Sequence, residues 1–99
     1  MLQIDKKEEG KTLTIALTGK LDSVSAPEFE EILEESLEGV DRLILDLKEL
    51  KYTSSAGLRV ILEAYKTMIE RNGMVVKNPD SVVRKIFDSV GFSNFLDIE

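Results

Sequence analysis

One stretch constrains this chain more than any other: residues 43–62, where the spacing of apolar residues changes its period. Leu43, Ile44, Leu45 and Leu47 form a short apolar run broken only by Asp46, which suits a strand covered on both faces. A polar link at residues 48–52 follows, then three hydroxyl residues in a row, Thr53, Ser54 and Ser55, and then Gly57. From there Leu58, Ile61, Leu62, Tyr65, Met68 and Ile69 recur at helical spacing. The pattern predicts a loop rising from a central strand and a helix from Ser55 to about Arg71, stopped by Asn72-Gly73. At 1.5 Å per residue that helix is about 25 Å long. A hydroxyl at this junction has free helix N–H groups behind it, which favour negative charge. Such a place suits a phosphate that is put on and taken off.

The rest of the chain supplies the elements that surround this junction. Leu2 and Ile4, then Leu13, Ile15 and Leu17, alternate with polar or small residues and predict two strands, joined as a hairpin by the Gly-bearing turn at residues 6–11. The Gly10-Lys11-Thr12 triplet lacks the first Gly of a phosphate loop, has Asp5 in its place and leads into a strand, so it carries no such role. After a loop at residues 19–23, Ser25 is the expected N-cap and Pro27 the first-turn residue of a helix with Phe29, Ile32, Leu33 and Leu37 on one face, ending near Gly39. Its other face carries Glu28, Glu30, Glu31, Glu34, Glu35 and Glu38, and reads as a solvated surface. Met74, Val75 and Val76 predict a short strand. Residues 78–81 open a last helix with Val82 or Val83, Ile86, Phe87 and Val90 inward, and Phe92, Phe95, Leu96 and Ile98 tuck the tail onto the core. The order is β-β-α-β-α-β-α. Crossover helices imply parallel neighbours, and the opening hairpin adds an antiparallel edge. The expectation is one small α/β domain over residues 1–99 with a mixed sheet.

Composition narrows the function classes. A formal net charge of −6, with thirteen basic residues scattered along the chain, argues against nucleic-acid binding. The chain has no Cys and no His, which removes disulfides, thiolate chemistry, cysteine metal sites and any imidazole acid or base. No apolar stretch resembles a signal peptide or a membrane span, so the expected address is the cytoplasm, with no membrane partner. No cofactor and no metal site are expected.

Ser55 on a strand-to-helix turn with Gly57 two residues on has the outline of a hydrolase elbow, but Thr53 stands where that elbow needs Gly. A carboxylate could replace the missing imidazole, and Asp22 and Asp46 are both expected at strand ends facing one edge of the sheet. Two acids and a serine coincide often in an acidic protein, so catalysis is the minority reading. From the residues alone, Ser55 is ordinarily a plain N-cap, Gly57 a packing glycine and Tyr52 a core or rim residue.

The run from Tyr52 to Leu58, after an apolar strand ending Asp46-Leu47, resembles the signature of the STAS-domain anti-anti-sigma factors, or anti-sigma factor antagonists. The resemblance extends to the loop at residues 19–22, the Asn72-Gly73 turn, and Val90-Gly91-Phe92 with Phe95. It implies a bacterial, cytoplasmic binding switch and no enzyme. Its partners would be an anti-sigma factor that is also a serine kinase, whose capture frees the sigma factor, and a phosphoserine phosphatase. The family loop places the phosphoacceptor two residues before the Gly, on Ser55, with Ser54 as the neighbouring candidate because it replaces the usual Asp. The resemblance further implies a partner surface of Asp22, Ser54, Ser55, Gly57, Leu58 and Arg59. Asp46 matches a strand-end acid. The other reading in keeping with Ser54 is a constitutive STAS-like module that binds a small ligand or belongs to a larger assembly such as a lipid-transport complex.

Overall fold

In the computed structural model, which describes residues 2–99, the chain order is also the spatial order of the sheet. The strands are β1 (Leu2–Glu9), β2 (Thr12–Leu21), β3 (Arg42–Thr53), β4 (Met74–Lys77) and β5 (Asp97–Ile98), lying side by side as β1-β2-β3-β4-β5. β1 pairs antiparallel with β2, and every later pairing is parallel. The crossovers are α1 (Ala26–Ser36), α2 (Ser55–Met68) and α3 (Ser81–Ser89). Right-handed crossovers that always step in one direction put all three helices on one face of the sheet. Phe29 and Leu33 of α1, Ile61 and Met68 of α2, and Val83 and Phe87 of α3 bury there against Leu13, Ile15, Leu17, Leu43, Leu45 and Leu47. The hairpin, the two crossover helices, the last helix and the mixed sheet expected from the sequence are all present.

Three expectations are corrected. The central strand does not stop at Leu47: residues 48–52, expected as a polar link, continue β3 to Thr53. Two steps along β2, from Ala16 to Thr18, match three along β3, from Asp46 to Glu49; further on, the single step from Gly19 to Lys20 matches two, from Leu50 to Tyr52. Each mismatch is a β-bulge on β3, where one extra residue bends the strand and resets which face a side chain takes. Buried positions therefore run Leu43, Leu45, Leu47 and then Leu50, Thr53, a spacing of two followed by three. The tail, expected only to tuck in, adds a fifth strand: Asp97 and Ile98 pair with Val75 and Val76, and the Glu99 N–H donates to the Val76 carbonyl at 2.8 Å. Leu96 is buried, while Phe95 packs beside Tyr65 with ring centroids 5.0 Å apart. Finally, the helices are shorter than expected. α1 ends at Ser36, and α2 at Met68, about 21 Å long. Gly73 takes φ of +95° and returns its N–H to the Met68 carbonyl at 3.0 Å, so the expected glycine stop acts from four residues beyond the cap. Arg71, freed from the helix, donates to the carbonyls of Leu37 and Val40 at 2.6 and 2.8 Å, tying the ends of α1 and α2 together.

Candidate functional site: the carboxyl ends of β2 and β3

β2 and β3 end together, with Leu21 and Thr53 as register partners. The Ser54 N–H donates to the Leu21 carbonyl at 2.8 Å, so the chain leaves β3 while still held to β2. Only Ser54 separates strand from helix. The three hydroxyl residues, expected in one loop, fall into three environments. Thr53 ends the strand and is 2% exposed. Ser54, with extended backbone, is the N-cap of α2; its hydroxyl accepts from the Gly57 N–H at 3.3 Å, and its carbonyl accepts from Leu58 N–H at 2.9 Å. Ser55, expected to be the cap, is instead the first helical residue, and its side chain is exposed.

Gly57 is where α2 touches the sheet. A Cβ there would lie 2.6 Å from Leu21 Cγ and closer still to Thr53 Oγ1. Only a residue without a side chain lets the first turn of α2 rest on the paired ends of β2 and β3, so Gly57 fixes where Ser55 stands. Leu58 turns inward and is buried, and Arg59 is exposed. Of the partner surface implied by the resemblance, Ser55 and Arg59 therefore present side chains outward, while Gly57 and Leu58 support them from below.

Asp22 follows Leu21 directly and organises the neighbouring loop. Its carboxylate accepts from the N–H groups of Val24 and Ser25 at 3.0 and 3.1 Å, and its own N–H donates to Ser25 Oγ at 2.9 Å. The Ser25 and Val24 amides, in that order, hold the carboxyl below its ordinary value of 3.8. Ser25 is the N-cap residue of α1, as expected, but its hydroxyl makes no capping bond; it donates to the Lys20 carbonyl at 3.1 Å. This tight turn pushes Val24 into solvent, 86% exposed, beside an edge where Tyr52 is 42% exposed. Val24 was not singled out by the sequence, because one apolar residue between two serines has no period to reveal it. Tyr52 is a rim residue.

The structure brings Asp22 and Ser55 to one edge and separates Asp46 from both. Asp46 lies in mid-strand, opposite Ala16 and Lys77, seven residues and about 23 Å of strand from Thr53. Its carboxylate accepts from the Lys48 N–H at 3.1 Å and braces the first bulge. It was expected at a strand end only because the bulged half of β3 was not read as strand. The two acids that the sequence offered to a hydrolase at Ser55 are not brought together there: Asp46 is remote, and the Asp22 carboxylate is engaged with backbone amides. Among the described residues no cluster of three or more potential ligands could hold a metal, and no helix is long and apolar enough to cross a membrane.

An exposed serine on the first turn of a helix, seated by a glycine at the end of a bulged parallel strand, is the arrangement that the STAS domain model spans when it matches residues 3–99 of this chain. The chain belongs to the STAS-domain family. Among curated relatives, this STAS domain is 26% identical to the anti-sigma-B factor antagonist of Bacillus subtilis over 98 residues, covering 98% of this chain and 90% of that one. Among solved structures, an anti-sigma factor antagonist from Mycobacterium paratuberculosis superposes with a TM-score of 0.90 at 17% identity, covering 99% of this chain and 85% of that one. The Bacillus anti-sigma factor antagonist SpoIIAA has been solved in both states. Its unphosphorylated form gives a TM-score of 0.77 at 19% identity, covering 100% of this chain and 87% of that one. Its phosphorylated form gives 0.75 at 20% identity, covering 100% and 91%. The SpoIIAA-like fold of this STAS domain is thereby established.

Proposed function

We propose that this STAS domain is a phosphorylation-regulated anti-sigma factor antagonist of the bacterial cytoplasm. Unmodified, it binds an anti-sigma factor with serine kinase activity and so frees the sigma factor; phosphate on Ser55 breaks the complex, and a phosphoserine phosphatase restores it. It acts by binding and carries no catalytic residue of its own. The observation that carries this reading is the exposure of Ser55 beside a buried Thr53 and a Ser54 engaged as the cap: one hydroxyl of the three is presented outward. Asp22, Val24, Tyr52 and Arg59 around it form the proposed contact surface. Phosphate adds about −1.5 to −2 charge and three acceptor oxygens in the middle of that surface. At the N-terminus of α2 a negative charge gains about 0.3–1 kcal/mol from the helix dipole, so the fold tolerates it. Burying the same charge against a partner that offers no matching cation costs several times more. The switch therefore needs no refolding.

The deciding experiment incubates the domain with its anti-sigma kinase and ATP and locates the phosphate by mass spectrometry. One phosphate on Ser55, lost in Ser55→Ala and kept in Ser54→Ala, with at least tenfold weaker partner binding once modified, is the expected result. Phosphate on Ser54, or unchanged affinity, overturns it. Unchanged affinity in Ser55→Glu as well would instead support a constitutive STAS module, the reading favoured by Ser54, which lacks the charge of the carboxylate usual at that place.

A further inference from the structure

We propose that Arg59 is the intramolecular partner of a phosphate carried on Ser55, so that modification adds an anion to this edge and at the same time occupies the unpaired cation one helical turn away. This rests on the reading of Ser55 as the phosphoacceptor. Ser55 and Arg59 are four residues apart on α2 and both are exposed. Residues so spaced stand one above the other, with Cβ atoms about 5–6 Å apart. Side chains on a helix lean toward its N-terminus, so the guanidinium of Arg59 sweeps the surface over the preceding turn, where Ser55 sits. An anion four residues before a cation is also the favourable order for such a pair. The residues between them do not intervene, since Gly57 and Leu58 are buried.

Arg59 is uncommitted in the unmodified domain. It joins none of the ion pairs formed among the described residues. Lys20, opposite Tyr52 at the end of β2, is a second exposed cation without an ion pair, but it is not on the helix that carries Ser55, and the other charges nearby have partners. Glu63, one turn further along α2, pairs with Lys66 at 3.5 Å. Lys51 of β3 pairs with Glu49 and Asp80, each at 3.8 Å. The Asp22 carboxylate is held by Val24 and Ser25. Lys66 is the other cation of α2, three turns from Ser55. A guanidinium offers a planar fork of N–H donors that matches two phosphate oxygens at once, which the ammonium of lysine does not. Modification would therefore present a partner with a pair of net negative charge where the free domain presents a positive one.

The test places phosphoserine at position 55 during translation, so that no kinase is involved, and compares wild type with Arg59→Gln and Arg59→Lys. In the wild type the Arg59 Nε–H cross peak is expected to move downfield on phosphorylation and to exchange more slowly with water. Phosphorylation should lower the melting temperature by about 2–4 °C more in Arg59→Gln than in wild type, the size of one exposed charge pair in a domain this small. Arg59→Lys should recover part of that difference. An Arg59 signal that ignores the phosphate, or equal melting shifts in wild type and Arg59→Gln, overturns the pairing. Because the phosphate is installed directly, that failure is separate from a failure of the kinase to modify Ser55, which would overturn the functional reading alone.

Discussion

Over residues 42–47, β3 alternates strictly between buried and partly exposed positions, and residues 43–46 are paired on both sides, by β2 and by β4. Over residues 48–53 it is paired by β2 alone, carries two bulges, and buries one residue in three. The same strand thus has a regular half and an irregular half. The regular half places three leucines in the core. The irregular half bends past the end of β4 and brings the first turn of α2 to an edge where Ser55 is exposed although Thr53 is buried. Bulges gather beside functional sites because they re-aim side chains without ending the pairing. In this domain the difference between the halves separates what holds the fold from what presents Ser55.

That separation can be broken by mutation. The largest effect is expected in the regular half: Leu45→Ala should cost about 2–5 kcal/mol in chemical denaturation, with partner affinity unchanged for the fraction that is folded. Gly57→Ala, which presses on Leu21 and Thr53 at the end of the irregular half, should cost less, about 1–3 kcal/mol, and should weaken partner binding as well by shifting Ser55. A Gly57→Ala protein as stable and as tight-binding as wild type would mean that α2 does not rest on those two residues.

A smaller effect sharpens the boundary itself. Ser54→Ala should lose about 1 kcal/mol, because it removes the cap, whereas Ser55→Ala should stay within about 0.5 kcal/mol as an exposed substitution. The reverse ranking, measured by urea unfolding, would return the cap to Ser55. The smallest effect belongs to the Asp22 turn. Its carboxyl titrates below 3.8 in the folded protein. A lowered folded value means that the stability Asp22 contributes is present above the unfolded pKa of about 3.9 and is lost as pH falls through the folded one. The Val24 and Ser25 amide signals should therefore titrate together with a midpoint below 3.8. A midpoint at or above that value would show that the two hydrogen bonds do not persist in solution.

The regular parts of the molecule were legible in the sequence because one rule governs each of them. Period-two alternation identified β2, helical spacing identified the buried Phe29, Leu33, Ile61, Met68, Val83 and Phe87, and the Asn72-Gly73 stop fell where the backbone needs a positive φ. Val90, expected inward, instead caps α3 and is 50% exposed. The irregular half of β3 escaped the same rule, since each bulge breaks the period and leaves Lys48, Glu49, Lys51 and Tyr52 looking like a linker. One site expectation failed with it, Asp46 at a strand end; the cap expected on Ser55 fell instead on Ser54. β5 escaped for another reason. Two residues are too short to show any period, and their strand character comes from the edge of β4. The family resemblance pointed to Ser55 and Gly57 without reference to the length of β3, because it rests on residue identities at fixed short offsets within one loop.

A sheet whose spatial order repeats its chain order also has a consequence for how the domain assembles. The hairpin of β1 and β2 needs only local contacts, and each later strand joins an edge that already exists, so none has to be inserted between two neighbours. Loop closures are then short and made one at a time, which favours fast folding for a sheet that is mostly parallel. The same order means that a partly made domain always exposes one unpaired edge: first β2, then β3, then β4. The edge of β3 is the hazardous one, since an apolar strand open on one side is a template for another chain. Its bulges and the charges of Lys48, Glu49 and Lys51 make half of that edge a poor template during the interval before β4 arrives.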